Sequence, residues 1–356
     1  MGNDKQIWNE YLNHSLINNQ FEEYRKTFLL IFEKKWSDLF SKVNIDLCQI
    51  RTGNRLRPQI TLFGYLANEK KYCLNQLNYI ADIGMSIELI HKSSIILDDC
   101  IDGDELRHNQ PAFHTIHGKD KTILFAFNLT AQALINLNNV LLDRNVGNNI
   151  YRKCIELSIR TLCDISKGAL NELEMTQVDM YDMDKVKQLI DLETATLLKN
   201  SLLLGYLSNG GDNPEVEKIF VEVGSACGYI FQTMNDLEPF CNREGTIYHK
   251  GKVNIDYLNS KKNIAIAFIY ERMTAAEKRK FNLLNMSDKQ NAKELIEEYF
   301  LKYKVLECFM KEIASIEKMT NTLLKRIEHL GIDKLWCDSF KNFILLLTKV
   351  AKNRLQ

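Results

Sequence analysis

The chain has 356 residues, 45% of them hydrophobic and 26% charged, which is ample apolar material for a sizeable core. Lys plus Arg and Asp plus Glu each total 46, so the formal net charge is zero and the basic field that nucleic-acid binding needs is missing. The cysteines Cys48, Cys73, Cys100, Cys154, Cys163, Cys227, Cys241, Cys308 and Cys337 are odd in number and make no C-x-x-C pair; this argues against structural zinc and a disulfide framework, and for reduced, mostly buried thiols in a cytoplasmic protein.

Met1 to Ser15 is polar and lacks the apolar run of a signal peptide. Met1-Gly2 is no lipidation signal, because Gln6 stands where Ser or Thr is wanted. Breakers occur at Thr52-Gly53-Asn54. A helical run follows, with Ile83, Ile87, Ile90 and Leu97 at helical intervals, and it ends in Leu97-Asp98-Asp99-Cys100-Ile101-Asp102-Gly103. A second breaker region covers Asp102 to Gln110. Thr122 to Leu142 is the most apolar stretch, and its Leu134, Leu137, Val140 and Leu141 keep helical spacing. It also carries Asn128, Gln132, Asn136, Asn138 and Asn139, amides that are costly in lipid, so it reads as a buried soluble helix and not a membrane span. Further breakers lie at Ser208 to Pro214 and from Asn242 to Asn263.

Only Pro58, Pro111, Pro214 and Pro239 interrupt the chain, which favours long helices. Pro239 is expected to end its helix. No run alternates cleanly enough for a sheet. The expectation is one all-α domain over residues 1–356, with a motif-bearing core at about 45–270 and amphipathic C-terminal helices at about 274–356 that carry no recognisable motif.

The strongest chemical signal is the acid-tipped helix. Asp98 and Asp102 are four residues apart and share a face, with Asp99 beside them. Like charges this close repel unless a cation neutralises them. Carboxylates at a helix C-terminus also oppose the macrodipole, so a merely solvated helix end is the poorer explanation. Magnesium takes one or two carboxylates together with waters and substrate phosphates, and a metal–diphosphate site fits.

Several motifs then resemble one family. Asp98 through His114, with Arg107, His108 and Pro111, resembles the first aspartate-rich motif of the trans-polyprenyl diphosphate synthases, D-D-x-x-D followed by R-R-G-x-P and a nearby His. Gly53-Asn54-Arg55-Leu56-Arg57-Pro58 is similar to the family's G-K-R-x-R-P, and Glu88-Leu89-Ile90-His91 to its E-L-I-H. Phe231-Gln232-Thr233-Met234-Asn235-Asp236-Leu237-Glu238 resembles F-Q-x-x-D-D, the start of the second aspartate-rich motif. The order is the family's, from Gly53 to about Lys262. The resemblance implies the all-α isoprenoid-synthase fold, a homodimer, and three magnesium ions that bridge two acidic helices to an allylic prenyl diphosphate across an apolar cavity.

On that resemblance the catalytic candidates are Asp98, Asp99, Asp102, Arg107 and Asp236. The metal ligands would be Asp98, Asp99, Asp102, Asn235, Asp236 and Glu238. Arg57, His91, His108, Gln232 and Lys262 would bind substrate. Ser93 and Ser94 stand where the family places bulky aromatics that stop chain growth, and they imply a deeper pocket unless Ile90 or Phe127 supplies the floor. His249-Lys250-Gly251-Lys252 reads as a basic segment able to close over the site. His114 and His117 have metal-ligand spacing, but without a third ligand a structural role is the better reading.

The chain also departs from the family pattern. Asn54 replaces a Lys, His108 replaces the second Arg, Glu193-Thr194 stands for a K-T pair, and Phe127-Asn128 for G-D. The second motif has Asn235 for Asp and Pro239 for its last Asp. The cyclase version of that motif is not met either, with Arg243 where Glu is expected and Glu244 one place late. The isopentenyl diphosphate half of the site therefore looks eroded beside the allylic half. The favoured reading is ionisation of an allylic diphosphate with cyclisation or transfer to an acceptor other than isopentenyl diphosphate; the alternatives are ordinary chain elongation, and a non-catalytic partner subunit or diphosphate-binding protein.

Overall fold

The computed structural model describes residues 19–41, 50, 53–69, 74–107, 110–175, 181–241 and 262–355. The first described helix, α1 (Asn19–Phe40), places Phe21, Tyr24, Phe28, Phe32, Trp36 and Phe40 on one buried face, every three to four residues. Pro58 sits in the first turn of α2 (Leu56–Ala67), where a missing N–H costs nothing. The long α3 (Leu77–Asp102) packs against α1, α2 and α5 and is closed by Gly103 at φ 69°, the left-handed conformation that glycine adopts without strain.

Gly103 lets the chain turn back into a hairpin of two-residue strands, β1 (Leu106–Arg107) and β2 (Gln110–Pro111). Strands this short show no alternation, which is why the sequence gives no hint of them. Then come α4 (Phe113–His117), α5 (Lys119–Asp143), α6 (Asn148–Glu174) and α7 (Met183–Ile190). A π-helical turn, Asp191–Ala195, leads into α8 (Thr196–Ser208). Beyond it lie α9 (Pro214–Cys241), α10 (Ile264–Arg272), α11 (Ala275–Ser287), α12 (Lys289–Lys302), α13 (Val305–His329) and α14 (Lys334–Leu355). The all-α expectation holds.

Two expectations need correction. Helix α9 does not stop at Pro239 but runs to Cys241, with the proline inside its last turn. Proline disturbs the turn before it, and the helix carries on for two more residues. Helix α5 is not buried all round. It buries Thr122, Ala126, Leu129, Ala133, Leu137 and Leu141, while Leu124 and Phe127 are 68% and 73% exposed.

The main apolar core joins α1, α2, α3, α8 and α9 to the C-terminal α14, where Trp336 Nε1 donates to the Phe63 carbonyl at 2.8 Å. At the centre α2 and α8 cross backbone to backbone. A methyl group on Gly64 would lie 1.9 Å from the Leu202 carbonyl oxygen, and one on Gly205 would lie 2.0 Å from that of Thr61. Gly205→Val is therefore expected to cost about 3 kcal/mol or more in denaturant unfolding. The control Gly147→Ala, with open space around it, should stay within about 0.5 kcal/mol.

Candidate active site

The acidic end of α3 splits into two environments. The Asp98 side chain is 57% exposed, whereas Asp99 is 1% exposed. Asp102, one turn on from Asp98, is half-buried. The hairpin folds Arg107 back over this turn. Its Nε donates to both Asp99 oxygens, at 2.9 and 3.1 Å; its Nη2 also donates to Asp99 and reaches Asp98 Oδ2 at 3.5 Å. Burial works against the Arg107 charge, but the Asp99 bonds and the charges of Asp99 and Asp98 outweigh it and hold the guanidinium above its ordinary pKa. Asp99 thus anchors the hairpin, and Asp98 faces outward.

Two turns earlier α3 carries a second, cationic cluster. Arg57 Nη1 lies 2.7 Å from His91 Nε2. Arginine only donates, so this nitrogen accepts, and the imidazole proton sits on Nδ1. Burial, reinforced by Arg57, Lys92, Arg107 and Arg55, holds His91 well below its ordinary pKa, and the ring is neutral. Burial also lowers Arg57 to about 10, against the pull of Glu88, so it stays charged near neutral pH. Arg55 donates to Glu33 at 2.8 Å and Glu88 at 3.1 Å, and its guanidinium lies 4.8 Å from the Trp36 ring centre. Lys92 is 7% exposed and lies 3.8 Å from Glu88.

The second motif is organised by α9 and the start of α10. Gln232 and Asp236 share a face, and Gln232 Nε2 donates to Asp236 Oδ1 at 2.7 Å. Asp236 Oδ2 accepts from the Ile264 N–H at 2.8 Å, while the Asn263 side chain donates to the Asp236 carbonyl at 3.0 Å. These bonds dock the first turn of α10 on α9 and so place Lys262. Its ammonium meets Glu193 and, at 3.2 Å, Glu172. Glu193 is turned inward by the π-helical turn, whose neighbour Thr194 donates to Gln232 at 2.9 Å. Glu193 Oε1 is buried with no hydrogen-bond partner. Asn235 and Glu238 flank Asp236 and are half-buried.

Burial pushes the Asp236 carboxyl up to about 7, with Glu172 adding to the rise and the Ile264 and Gln232 bonds opposing it. A folded-state value above the unfolded one means that the native protein holds the proton more tightly. The associated stability is present below about pH 4 and is lost as pH rises through about 7. In chelator, Asp236→Asn should therefore gain in melting temperature relative to the parent between about pH 5 and about pH 8. A constant difference would remove the assignment.

The remaining candidates separate. The Ser93 hydroxyl lies 2.8 Å from the Ala126 carbonyl and 2.8 Å from Thr130 Oγ1, tying α3 to α5, and Ser94 donates to the His91 carbonyl at 2.9 Å. Exposed Phe127 supplies no floor within one chain. His117 packs against Phe113 with the rings tilted and 4.4 Å between their centres. His108 and the 249–252 segment lie outside the described residues. Sequence reasoning missed Lys92, Glu33 and Glu172. For Lys92 the signal was its i,i+4 spacing from Glu88 inside an apolar run.

An all-helical bundle whose central helix ends in acids, with a second acid-bearing helix and a buried cationic cluster, is the architecture of the isoprenoid synthases. A family model described as polyprenyl synthetase matches residues 39–302, and the chain belongs to that family. It is 32% identical over 193 residues to the chloroplastic geranylgeranyl pyrophosphate synthase of Capsicum annuum, covering 52% of this chain and 49% of that one. It is 30% identical over 193 residues to the geranylfarnesyl diphosphate synthase of Aeropyrum pernix, covering 52% and 57%. The chain thus spans about half the length of these curated relatives. The geranylgeranyl pyrophosphate synthase of Corynebacterium glutamicum, solved with isoprenyl diphosphate and magnesium, shares the fold at a TM-score of 0.70 and 16% identity, over 92% of this chain and 98% of that one. Among the described residues no helix is long and apolar enough to cross a membrane.

Proposed function

We propose that the chain is a magnesium-dependent trans-prenyl diphosphate synthase that joins isopentenyl diphosphate to an allylic prenyl diphosphate. The observation that carries this is the layout of α3. One helix bears a cationic cluster at His91 and an acidic end at Asp98, seven residues and so about 10 Å apart along the axis. Two diphosphates are thereby given separate and chemically different places, as a two-substrate reaction needs. Cyclisation or transfer to another acceptor, the reading favoured by the eroded isopentenyl diphosphate half, needs only the acidic place and leaves Arg57 and His91 without a task. The curated relatives named above are a geranylgeranyl pyrophosphate synthase and a geranylfarnesyl diphosphate synthase, which also favours elongation.

The residues fit magnesium. Among the described residues no three acids, histidines or cysteines already converge on a metal position, and magnesium is completed by waters and substrate phosphates. Asp98 and Asp102 on α3, with Asn235, Asp236 and Glu238 on α9, would hold it, in the three-ion arrangement the resemblance implies. Bound magnesium neutralises charge on the departing diphosphate. Asp99, held by Arg107, fixes the backbone from which Asp98 projects. Arg57, oriented by neutral His91, binds the second diphosphate, and Lys262 and Gln232 border the first. The allylic C–O bond breaks as the diphosphate leaves, the isopentenyl double bond attacks the resulting cation, and the new tertiary cation loses a proton, for which the departed diphosphate is the base at hand, to restore a double bond; an apolar surrounding keeps water from both cations.

The exposed stripe of Leu124, Phe127, Ile135 and Leu142 on α5, with Leu170 and Leu173 on α6, supports a second copy as the partner. The free thiols support a cytoplasmic location. The test is incubation with magnesium and geranyl, farnesyl or geranylgeranyl diphosphate, with and without isopentenyl diphosphate. A longer diphosphate formed only when isopentenyl diphosphate is present is expected. A hydrocarbon or alcohol formed without it would overturn the reading in favour of cyclisation.

A further inference from the structure

We propose that Glu193 is a specificity-determining residue: by holding the Lys262 ammonium between two carboxylates, it makes capture of the allylic diphosphate conditional on magnesium. The inference rests on the proposed allylic diphosphate site between α3 and α9 and deepens it.

Position comes first. The π-helical turn carries Glu193 inward, and Gly168 on α6 leaves the room for it: a methyl group there would lie 2.6 Å from Glu193 Cγ. The next residue, Thr194, donates to Gln232 at 2.9 Å, and Gln232 donates in turn to Asp236 at 2.7 Å. Glu193 is therefore tied into the second acidic motif and does not hang at the surface.

Charge comes second. Lys262 Nζ donates to Glu193 Oε2 and, at 3.2 Å, to Glu172 Oε1; the Lys262 N–H points at the same Glu172 oxygen from 3.4 Å. The side chains of Lys262, Glu193 and Glu172 are 11%, 17% and 20% exposed, so water and salt screen them poorly. Two carboxylates thus face one ammonium, and the other Glu193 oxygen, Oε1, is buried with no hydrogen-bond partner. The family pattern has a lysine in place of Glu193, so the substitution turns a cationic pair into a cluster with excess negative charge. A diphosphate arriving alone is repelled, and the ammonium that would meet it is already engaged. Bound divalent cations are the largest local charges in such a site and reverse that balance. Lys262 can then exchange a carboxylate for a diphosphate oxygen.

The test uses the full-length chain and a non-hydrolysable allylic thiolodiphosphate, titrated calorimetrically in chelator and in magnesium. Excess isopentenyl diphosphate is present throughout, so that the cluster at Arg57 and His91 is filled. The parent is expected to bind only in magnesium. Glu193→Gln keeps the shape and leaves Glu172 on Lys262. In chelator it should bind about ten- to a hundredfold more tightly than the parent, the scale of one charge-assisted contact, and in magnesium the gain should shrink to about threefold or less. Glu172→Gln should shift chelator binding in the same direction. Thr194→Val loosens the π-helical turn without changing its charge, and should bind as weakly in chelator as the parent. Unchanged chelator binding in Glu193→Gln would overturn the proposal. So would an equal gain in Thr194→Val, or a parent that binds equally well with and without magnesium. Loss of magnesium-supported binding in Glu193→Gln would overturn it as well, by making Glu193 a metal ligand. A parent that binds the thiolodiphosphate in magnesium but never elongates a reactive allylic diphosphate would defeat the elongation reading alone, and the chelator comparison would still decide the role of Glu193. A parent that binds it under neither condition would defeat both.

Discussion

Replacing Asp98 with alanine is expected to lower magnesium-dependent turnover of an allylic diphosphate by about a hundred- to a thousandfold, the scale on which removal of one group that stabilises transition-state charge acts. The fold should be nearly indifferent. The Asp98 side chain is 57% exposed, and its contact with Arg107 at 3.5 Å is long. Exposed substitutions of this kind change stability by about 0.5 kcal/mol or less. The combination matters more than either half, because a loss of turnover without a loss of melting temperature separates a ligand from a structural residue. Steady-state kinetics over a magnesium titration, together with a thermal melt, makes the comparison. Full turnover in the variant would contradict the role assigned to Asp98.

Arg107→Leu should show the opposite balance. Asp99 is 1% exposed and takes three contacts from Arg107, so the substitution removes the facing positive charge from a carboxylate held in the interior. Breaking a buried pair from one side typically costs about 3–5 kcal/mol, because the surviving charge is uncompensated. The double variant Arg107→Leu, Asp99→Asn removes that charge and should recover a large part of the loss, giving a coupling energy of about 1–3 kcal/mol in a double-mutant cycle. Denaturant unfolding of the parent, both single variants and the double variant measures it. Additive losses would mean that the hairpin is held by something other than this pair.

The acid-tipped α3 was readable because two independent signals coincide there. Isoleucines recur at helical spacing, and carboxylates stand where the helix dipole disfavours them. Family membership was readable because motifs spread from Gly53 to Lys262 keep their order. The inward turn of Glu193 was not, because the π-helical turn at Asp191–Ala195 is set by packing between helices distant in sequence: a methyl group on Gly168 would lie only 2.6 Å from the Glu193 Cγ. Glu193 looked like a lost cation, and the folded chain shows it gripping Lys262 instead. Lys92 escaped notice for a related reason. A lysine in an apolar run ordinarily reaches solvent, and only the fold shows this one turned beneath the Gly53 loop. On α5 the amides correctly spoke against lipid, but apolar content alone does not tell a core face from a face left for a partner.

The most direct measurement is a crystal structure of the protein with magnesium and a non-hydrolysable allylic thiolodiphosphate. The account predicts metal ions gathered by Asp98 and Asp102 from one side and by the Asn235–Glu238 segment from the other, with the diphosphate between them and the prenyl chain running into the apolar interior. A diphosphate bound elsewhere, with Asp98 and Asp236 touching no common ligand, would contradict it.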